Sequence, residues 1–187
     1  MARKYNSVGG GIQTNINGLS FERDTDLLAA FEKESIFKIE IIPSKYKTRT
    51  AKIFFQKDHI GYFYEKQSLY RDFFLKKHNI DFDDEKYSLL EPDNVFINLK
   101  NKTAYIIEKK FQSMGGSVDE KLQTCDYKKN HFYKPKFKKI GYETQFYFLL
   151  SDFFDDEKKS DVFDYVKNVG CRYFFKTIPL PELGIEL

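Results

Sequence analysis

Apolar positions along the chain recur with two periods, and each marks a different kind of element. Residues 36–42 (IFKIEII) are β-branched and apolar and are stopped by Pro43, which predicts a strand. Val95, Phe96, Ile97 and Leu99 form a second β-prone run, and Thr103, Ala104, Tyr105, Ile106 and Ile107 form a third. Lys100-Asn101-Lys102 separates these two runs, and Asn tolerates the left-handed backbone of a tight turn, so the pair predicts a β-hairpin. Residues 143–150 (ETQFYFLL) predict a buried strand, and residues 171–178 (CRYFFKTI) a last strand closed by Pro179 and Pro181. Residues 52–55 and 60–64 carry weaker patterns that fit strand or loop.

Helical spacing fills the intervals. Leu19, Arg23, Asp26, Leu27, Ala30 and Phe31 predict a helix over 19–34, and Leu69, Phe73, Phe74 and Lys77 one over 67–78. Met114-Gly115-Gly116 breaks the chain after the hairpin. Ser117 and Glu120 then form a capping box for a helix whose stripe is Val118, Leu122, Cys125 and Phe132 and which ends before Pro135. Residues 161–169 predict a short helix with Gly170 just past its end. Residues 1–17, with Gly9-Gly10-Gly11 and no GK[ST] to follow, read as a lead-in loop. Residues 79–90 read as an acidic loop without the glycine and terminal glutamate of a calcium site. Hairpin, helix and strand in that order imply a right-handed parallel crossover. The chain is expected to be one α/β domain over 1–187: a mixed central sheet of about five strands, the hairpin in its middle, with helices on both faces.

The hairpin matters because polar tripeptides bracket it, Glu91-Pro92-Asp93 before and Glu108-Lys109-Lys110 after. If Lys100 and Asn101 form the loop, Leu99 faces Lys102 and Asp93 faces Glu108; if Asn101 and Lys102 do, Asp93 faces Lys110. Either register sets Asp93 within a residue or two of Glu108, since opposed residues lie roughly 5 Å apart. Side chains alternate, so Glu108, Lys110 and Gln112 share a face and Lys109 takes the other. An unpaired carboxylate at the end of a buried strand is costly, and a metal beside a lysine would offset that cost. Two hard carboxylates suit Mg²⁺, which keeps several waters for a phosphate substrate. An ammonium beside them completes a set able to hydrolyse a phosphodiester.

Charge and composition narrow the setting. The net charge is only +3, but residues 128–139 (KKNHFYKPKFKK) carry six lysines, three aromatics and no acid, and residues 45–52 are also basic and include Arg49. Such runs suit a phosphate backbone, or are a solvated surface in a lysine-rich chain. Lys128, Lys134 and Lys136 are the candidates for DNA contact here, with Lys109 from the hairpin. Ser117 and Lys121 open a helix whose N-terminus could hold a phosphate. Base readers are sought in 44–56 and 112–136. The 20 Phe and 13 Tyr, with no Trp, mostly signify core. His59, His78 and His131 lack zinc or triad spacing. Cys125 and Cys171 fit two buried thiols or one disulfide; with no apolar leader after Met1-Ala2-Arg3-Lys4 and no membrane-length apolar run, a reduced cytoplasmic setting is expected.

Pro92-Asp93, fourteen residues, then Glu108-Lys109-Lys110 resembles the signature of the PD-(D/E)XK nuclease superfamily, and residues 111–124 (FQSMGGSVDEKLQT) are similar to segments of type II restriction endonucleases within it. The resemblance spans roughly residues 91–150 and implies a restriction-endonuclease-like fold. It implies an Mg²⁺-dependent, sequence-specific double-stranded DNA endonuclease that leaves a 5′-phosphate and a 3′-hydroxyl. Asp93, Glu108 and the Lys109 carbonyl would hold the metal, and Lys110 would orient or deprotonate the attacking water. Glu22, on the first helix, would support the metal site or the lysine, and Gln112 would contact a phosphate or a bound water. The resemblance further implies a homodimer, and a cognate DNA methyltransferase in the same system that is not a binding partner. Alternatives on the same residues are a repair or junction-resolving nuclease, a non-catalytic nucleic-acid-binding protein, and an accessory subunit of a larger complex.

Overall fold

The fold is taken from a computed structural model that describes residues 20–82, 89–112, 118–155 and 160–186. Seven strands form one sheet in chain order: β1 (Phe37–Ile41), β2 (Thr50–Phe55), β3 (Asp58–Tyr64), β4 (Asn94–Asn98), β5 (Thr103–Lys110), β6 (Glu143–Leu150) and β7 (Arg172–Phe175). The first five pair antiparallel, while β6 and β7 join parallel to β5. The expectation of about five strands is therefore two short. The weak patterns at 52–55 and 60–64 belong to the full strands β2 and β3. Both runs mix polar with apolar residues, and Gly61 interrupts the second because β4 passes close by. A Cβ at Gly61 would lie 2.5 Å from the Ile97 carbonyl and the Phe96 ring.

Strands β4, β5 and β6 alternate between two cores. Val95, Ile97, Ala104, Ile106, Phe146 and Phe148 pack on one side, with the helices that follow β3, β5 and β6. Phe96, Tyr105, Ile107, Tyr147 and Leu149 pack on the other, under helix α1 (Leu27–Lys33) and the C-terminal Leu183 and Ile185. A strand covered on both faces reads as a continuous apolar run, which is why β4 to β6 are the clearest in the sequence. The hairpin lies at the middle of the sheet, as expected.

The helices depart further from expectation. The run over 19–34 is broken at Thr25: residues 20–24 are helical, then Asp26 adopts an extended backbone and its Oδ1 accepts the Ala29 N–H at 3.1 Å, so α1 starts afresh. Helix α2 is π-helical over Leu69–Leu75 and closes with Lys76–His78. The segment after the hairpin is a short helix α3 (Val118–Leu122), ended where the Thr124 hydroxyl donates to the Lys121 carbonyl at 2.7 Å. A longer helix α4 follows, π-helical over Tyr127–Tyr133 and α-helical over Lys134–Lys138. It does not end before Pro135, which lies where the π-helical turns pass into the α-helical one. Helix α5 (Ser160–Asn168) ends at Gly170, whose φ of +72° supplies the left-handed stop. The last strand begins after Cys171, one residue later than expected, and stops at Phe175. Residues 1–17, Ser117 with its capping box, the Met114-Gly115-Gly116 break and Asp83, Asp84 and Glu85 lie outside the described residues. No helix among the described residues is long and apolar enough to cross a membrane. Cys125 and Cys171 are buried free thiols that hydrogen-bond to each other.

Candidate active site

The turn between β4 and β5 decides which side chains meet. The last pair before it is Asn98↔Thr103, so Leu99 stands opposite Lys102, the first of the two registers. Asn98 Oδ1 accepts the Lys100 and Asn101 N–H groups at 2.9 and 3.2 Å, and Asn101 Oδ1 accepts that of Thr103 at 3.1 Å. These local bonds fix the turn, and Lys102, not Asn101, takes the positive φ of 49°. At the other end the ladder closes with Asn94↔Ile107, and one step further Asp93 stands across from Glu108.

Asp93 is half-buried, and its Oδ2 accepts the Lys109 N–H at 2.7 Å. Burial and the neighbouring Glu108 carboxylate push its carboxyl above the usual carboxylate range, against the pull of that hydrogen bond and of Lys110 and Lys109. Glu108 is 5% exposed. Its Oε2 lies 2.9 Å from Lys110 Nζ and 3.0 Å from Lys128 Nζ. Two ammonium groups therefore share one carboxylate oxygen, while Glu108 Oε1 and Asp93 Oδ1 take no hydrogen bond among the described residues. The N–H and C=O of one strand residue point to the same side, so the Lys109 carbonyl is directed toward Asp93.

Lys109 itself turns to the opposite face. Its Nζ donates to the Glu22 carbonyl at 3.2 Å, and burial pulls its ammonium below the usual lysine range despite Asp26, Asp93 and Glu22 nearby. It lines a cleft of about 530 Å³ together with Glu22, Asp26, Arg49, Glu65 and Asp93. Arg49 is clamped there: Nη2 lies 2.5 Å from Asp26 Oδ2 and 3.0 Å from Glu65 Oε1, and Nε lies 3.3 Å from Glu65 Oε2. Burial works against both Asp26 and Arg49, but their mutual hydrogen bond, with Glu65 on the arginine and the Ala29 N–H on the aspartate, holds Asp26 below the carboxylate range and Arg49 well above the guanidinium range. Arg49 thus serves two acids and is not an open phosphate contact.

The other expected site residues divide. Glu22 is exposed at the rim of the cleft and meets Lys109 through its carbonyl. Gln112 is buried just past β5, where its N–H donates to Ser151 Oγ and its carbonyl accepts from the same hydroxyl, both at 3.2 Å; the side chain lies inside the protein and not on an open face. Glu91 accepts a hydrogen bond from Gln67 Nε2 at 2.7 Å and stands aside from the acids. Lys121 and Lys134 are exposed on α3 and α4. Lys128 is not a free surface cation, because it reaches back to Glu108. Lys136 is 9% exposed with Nζ 4.3 Å from the Phe132 ring centroid and 4.9 Å from that of Phe82, so it too is withdrawn from solvent. Ser117 lies outside the described residues.

Two contributions escaped the sequence reading. Lys128 looked like any other lysine of its run. Asp26 and Glu65 gave one usable signal, an Asp directly before the apolar run LLAAF, which marks a helix start.

Whether these groups fit Mg²⁺ is a question of donor chemistry. Among the described residues no three His, Cys, Asp or Glu side chains converge as a metal cage. Mg²⁺ asks for less, one or two carboxylates with water making up the rest. Burial and Glu108 disfavour the charge of Asp93, each carboxylate keeps an oxygen clear, and the Lys109 carbonyl faces the same side. That donor set fits the ion. Compared with models of protein families, with curated proteins and with solved structures, the chain matches none.

Proposed function

We propose that the protein is an Mg²⁺-dependent DNA endonuclease with a restriction-endonuclease-like fold, cutting double-stranded DNA as a type II restriction enzyme does. The observation that supports it is the meeting of Asp93 and Glu108 across the open end of the β4–β5 hairpin, with Lys110 on the Glu108 carboxylate. In this reading Asp93, Glu108 and the Lys109 carbonyl hold the cation. When bound, Mg²⁺ supplies charge to the phosphate and acidity to a water. Lys110 orients the attacking water and stabilises the charge that grows on the phosphoryl oxygens. Asp93 is steadied by the Lys109 N–H, so its free oxygen keeps one direction. Cutting both strands calls for two such sites, hence a homodimer working on DNA in the cytoplasm.

Purified protein on supercoiled plasmid tests the reading. With Mg²⁺ it should yield discrete linear fragments, with EDTA none, and Lys110→Ala should abolish the products. Cleavage that persists in EDTA or in Lys110→Ala overturns it. Cleavage confined to branched DNA, without sequence preference, would make the protein a junction-resolving nuclease of the same fold.

A further inference from the structure

Glu108 holds more positive charge than a lone catalytic lysine supplies. Lys110 reaches it from two residues along the same strand, and Lys128 reaches it from α4, a separate element, at 3.0 Å. Both lysine side chains are 20% exposed, and both ammonium groups lie against this one carboxylate. Counting Asp93 and Glu108 against Lys110 and Lys128, the cluster is near neutrality without a metal. A divalent cation adds two positive charges, and one ammonium then has to leave or meet a new anion. Lys110 is confined by β5, whereas Lys128 rides on a helix. The other inward lysines of α4 cannot stand in for it, since Lys129 donates to the Gly170 carbonyl and Lys136 lies on the Phe132 and Phe82 rings.

We propose that Lys128 is an exchangeable counter-ion of Glu108, holding the carboxylate while no divalent cation is bound and passing to a DNA phosphate once one binds. The inference rests on the reading of Asp93 and Glu108 as metal ligands. It assigns Lys128 a positioning role that couples metal loading to DNA binding.

Ca²⁺, which suits the same oxygen donors, gives a readout without cleavage. Calorimetry on the full chain should show Lys128→Met binding Ca²⁺ about tenfold more tightly than wild type, because a close competing charge is gone, and Lys128→Arg binding it nearly as wild type does. With Ca²⁺ present, Lys128→Met should bind duplex DNA more weakly, its salt dependence reduced by about one phosphate contact; without Ca²⁺ its DNA affinity should match wild type. In wild type, acetylation of Lys128 mapped by mass spectrometry should run several-fold faster in Ca²⁺ than in EDTA, a readout that needs no variant to fold. Unchanged Ca²⁺ affinity in Lys128→Met, equal loss of DNA affinity with and without Ca²⁺, or unchanged labelling overturns the exchange and leaves the nuclease reading standing. If Glu108→Gln binds Ca²⁺ as wild type does, the metal site and the exchange fall together.

Discussion

Lys109 and Lys110 are adjacent on β5 and leave it on opposite faces of the sheet, where they meet opposite demands. Lys110 sits on a nearly buried carboxylate shared with Lys128, close to a second acid that burial and Glu108 push toward protonation. Lys109 faces a cleft in which Arg49 matches Asp26 and Glu65, and its own charge is disfavoured by burial. The Lys110 side holds Glu108 with an open oxygen, Asp93 borders both sides, and on the Lys109 side Asp26, Glu65 and Arg49 close their charges into a network. Adjacent residues of the same type thus acquire different electrostatic settings from strand alternation alone.

The sharpest test of that contrast is activity. Glu108→Gln or Lys110→Ala should lower Mg²⁺-dependent plasmid cleavage about a thousandfold, whereas Lys109→Met should stay within about tenfold of wild type, as read from initial nicking rates. Equal losses on both faces would erase the distinction. Stability should respond the other way. Arg49→Met strands Asp26 and Glu65 and should cost about 1–2 kcal/mol in urea unfolding, discounted for the partial exposure of the arginine, while leaving the metal affinity of the opposite face unchanged.

A smaller effect sharpens the picture of the acid pair. Asp93→Asn keeps an oxygen for the Lys109 N–H and removes a charge that Glu108 and burial both disfavour. It should raise the melting temperature in EDTA and abolish the stabilisation that the proposed site predicts for Mg²⁺. A lower melting temperature in EDTA would contradict the electrostatic account. The least effect is in acid. Asp26 titrates lower in the folded chain than in the unfolded one, so its contribution is complete above about pH 4 and fades as pH falls through the depressed folded value. Asp26→Asn should therefore flatten stability against pH below about pH 4 relative to wild type, as followed by urea titrations at each pH.

Much of this was legible in the sequence because a strand's period is short and strict. The apolar runs of β4, β5 and β6 marked both faces, and either of the two turn registers brought Asp93 within a residue or two of Glu108; the structure takes the one that pairs Asn98 with Thr103. The two strands that went under-read, β2 and β3, carry polar residues such as Lys52 and His59 among apolar ones, so alternation is blurred. The site was less legible where helices reach it. Residues 127–133 are π-helical, and a 3.6-residue count misplaces what such a segment turns inward. It is this winding, running on into 134–138, that buries Lys129 and Lys136, half-buries Lys128 and leaves Lys134 outside; composition treats all four alike. The basic stretch 45–52 left Arg49 open to a phosphate or a solvated surface, because the acids that claim it, Asp26 and Glu65, lie 23 and 16 residues away.

The change of strand direction at β5 has one more consequence. Because β4 runs against β5 while β6 and β7 run with it, the start of β4 and the ends of β3, β5, β6 and β7 all reach one rim of the sheet. Lys66 bonds the Pro92 carbonyl there, and Ser151 ties β6 to Gln112. The acid pair thus lies on the rim where five strand ends gather, and from which the long connections that carry α2, α3, α4 and α5 depart.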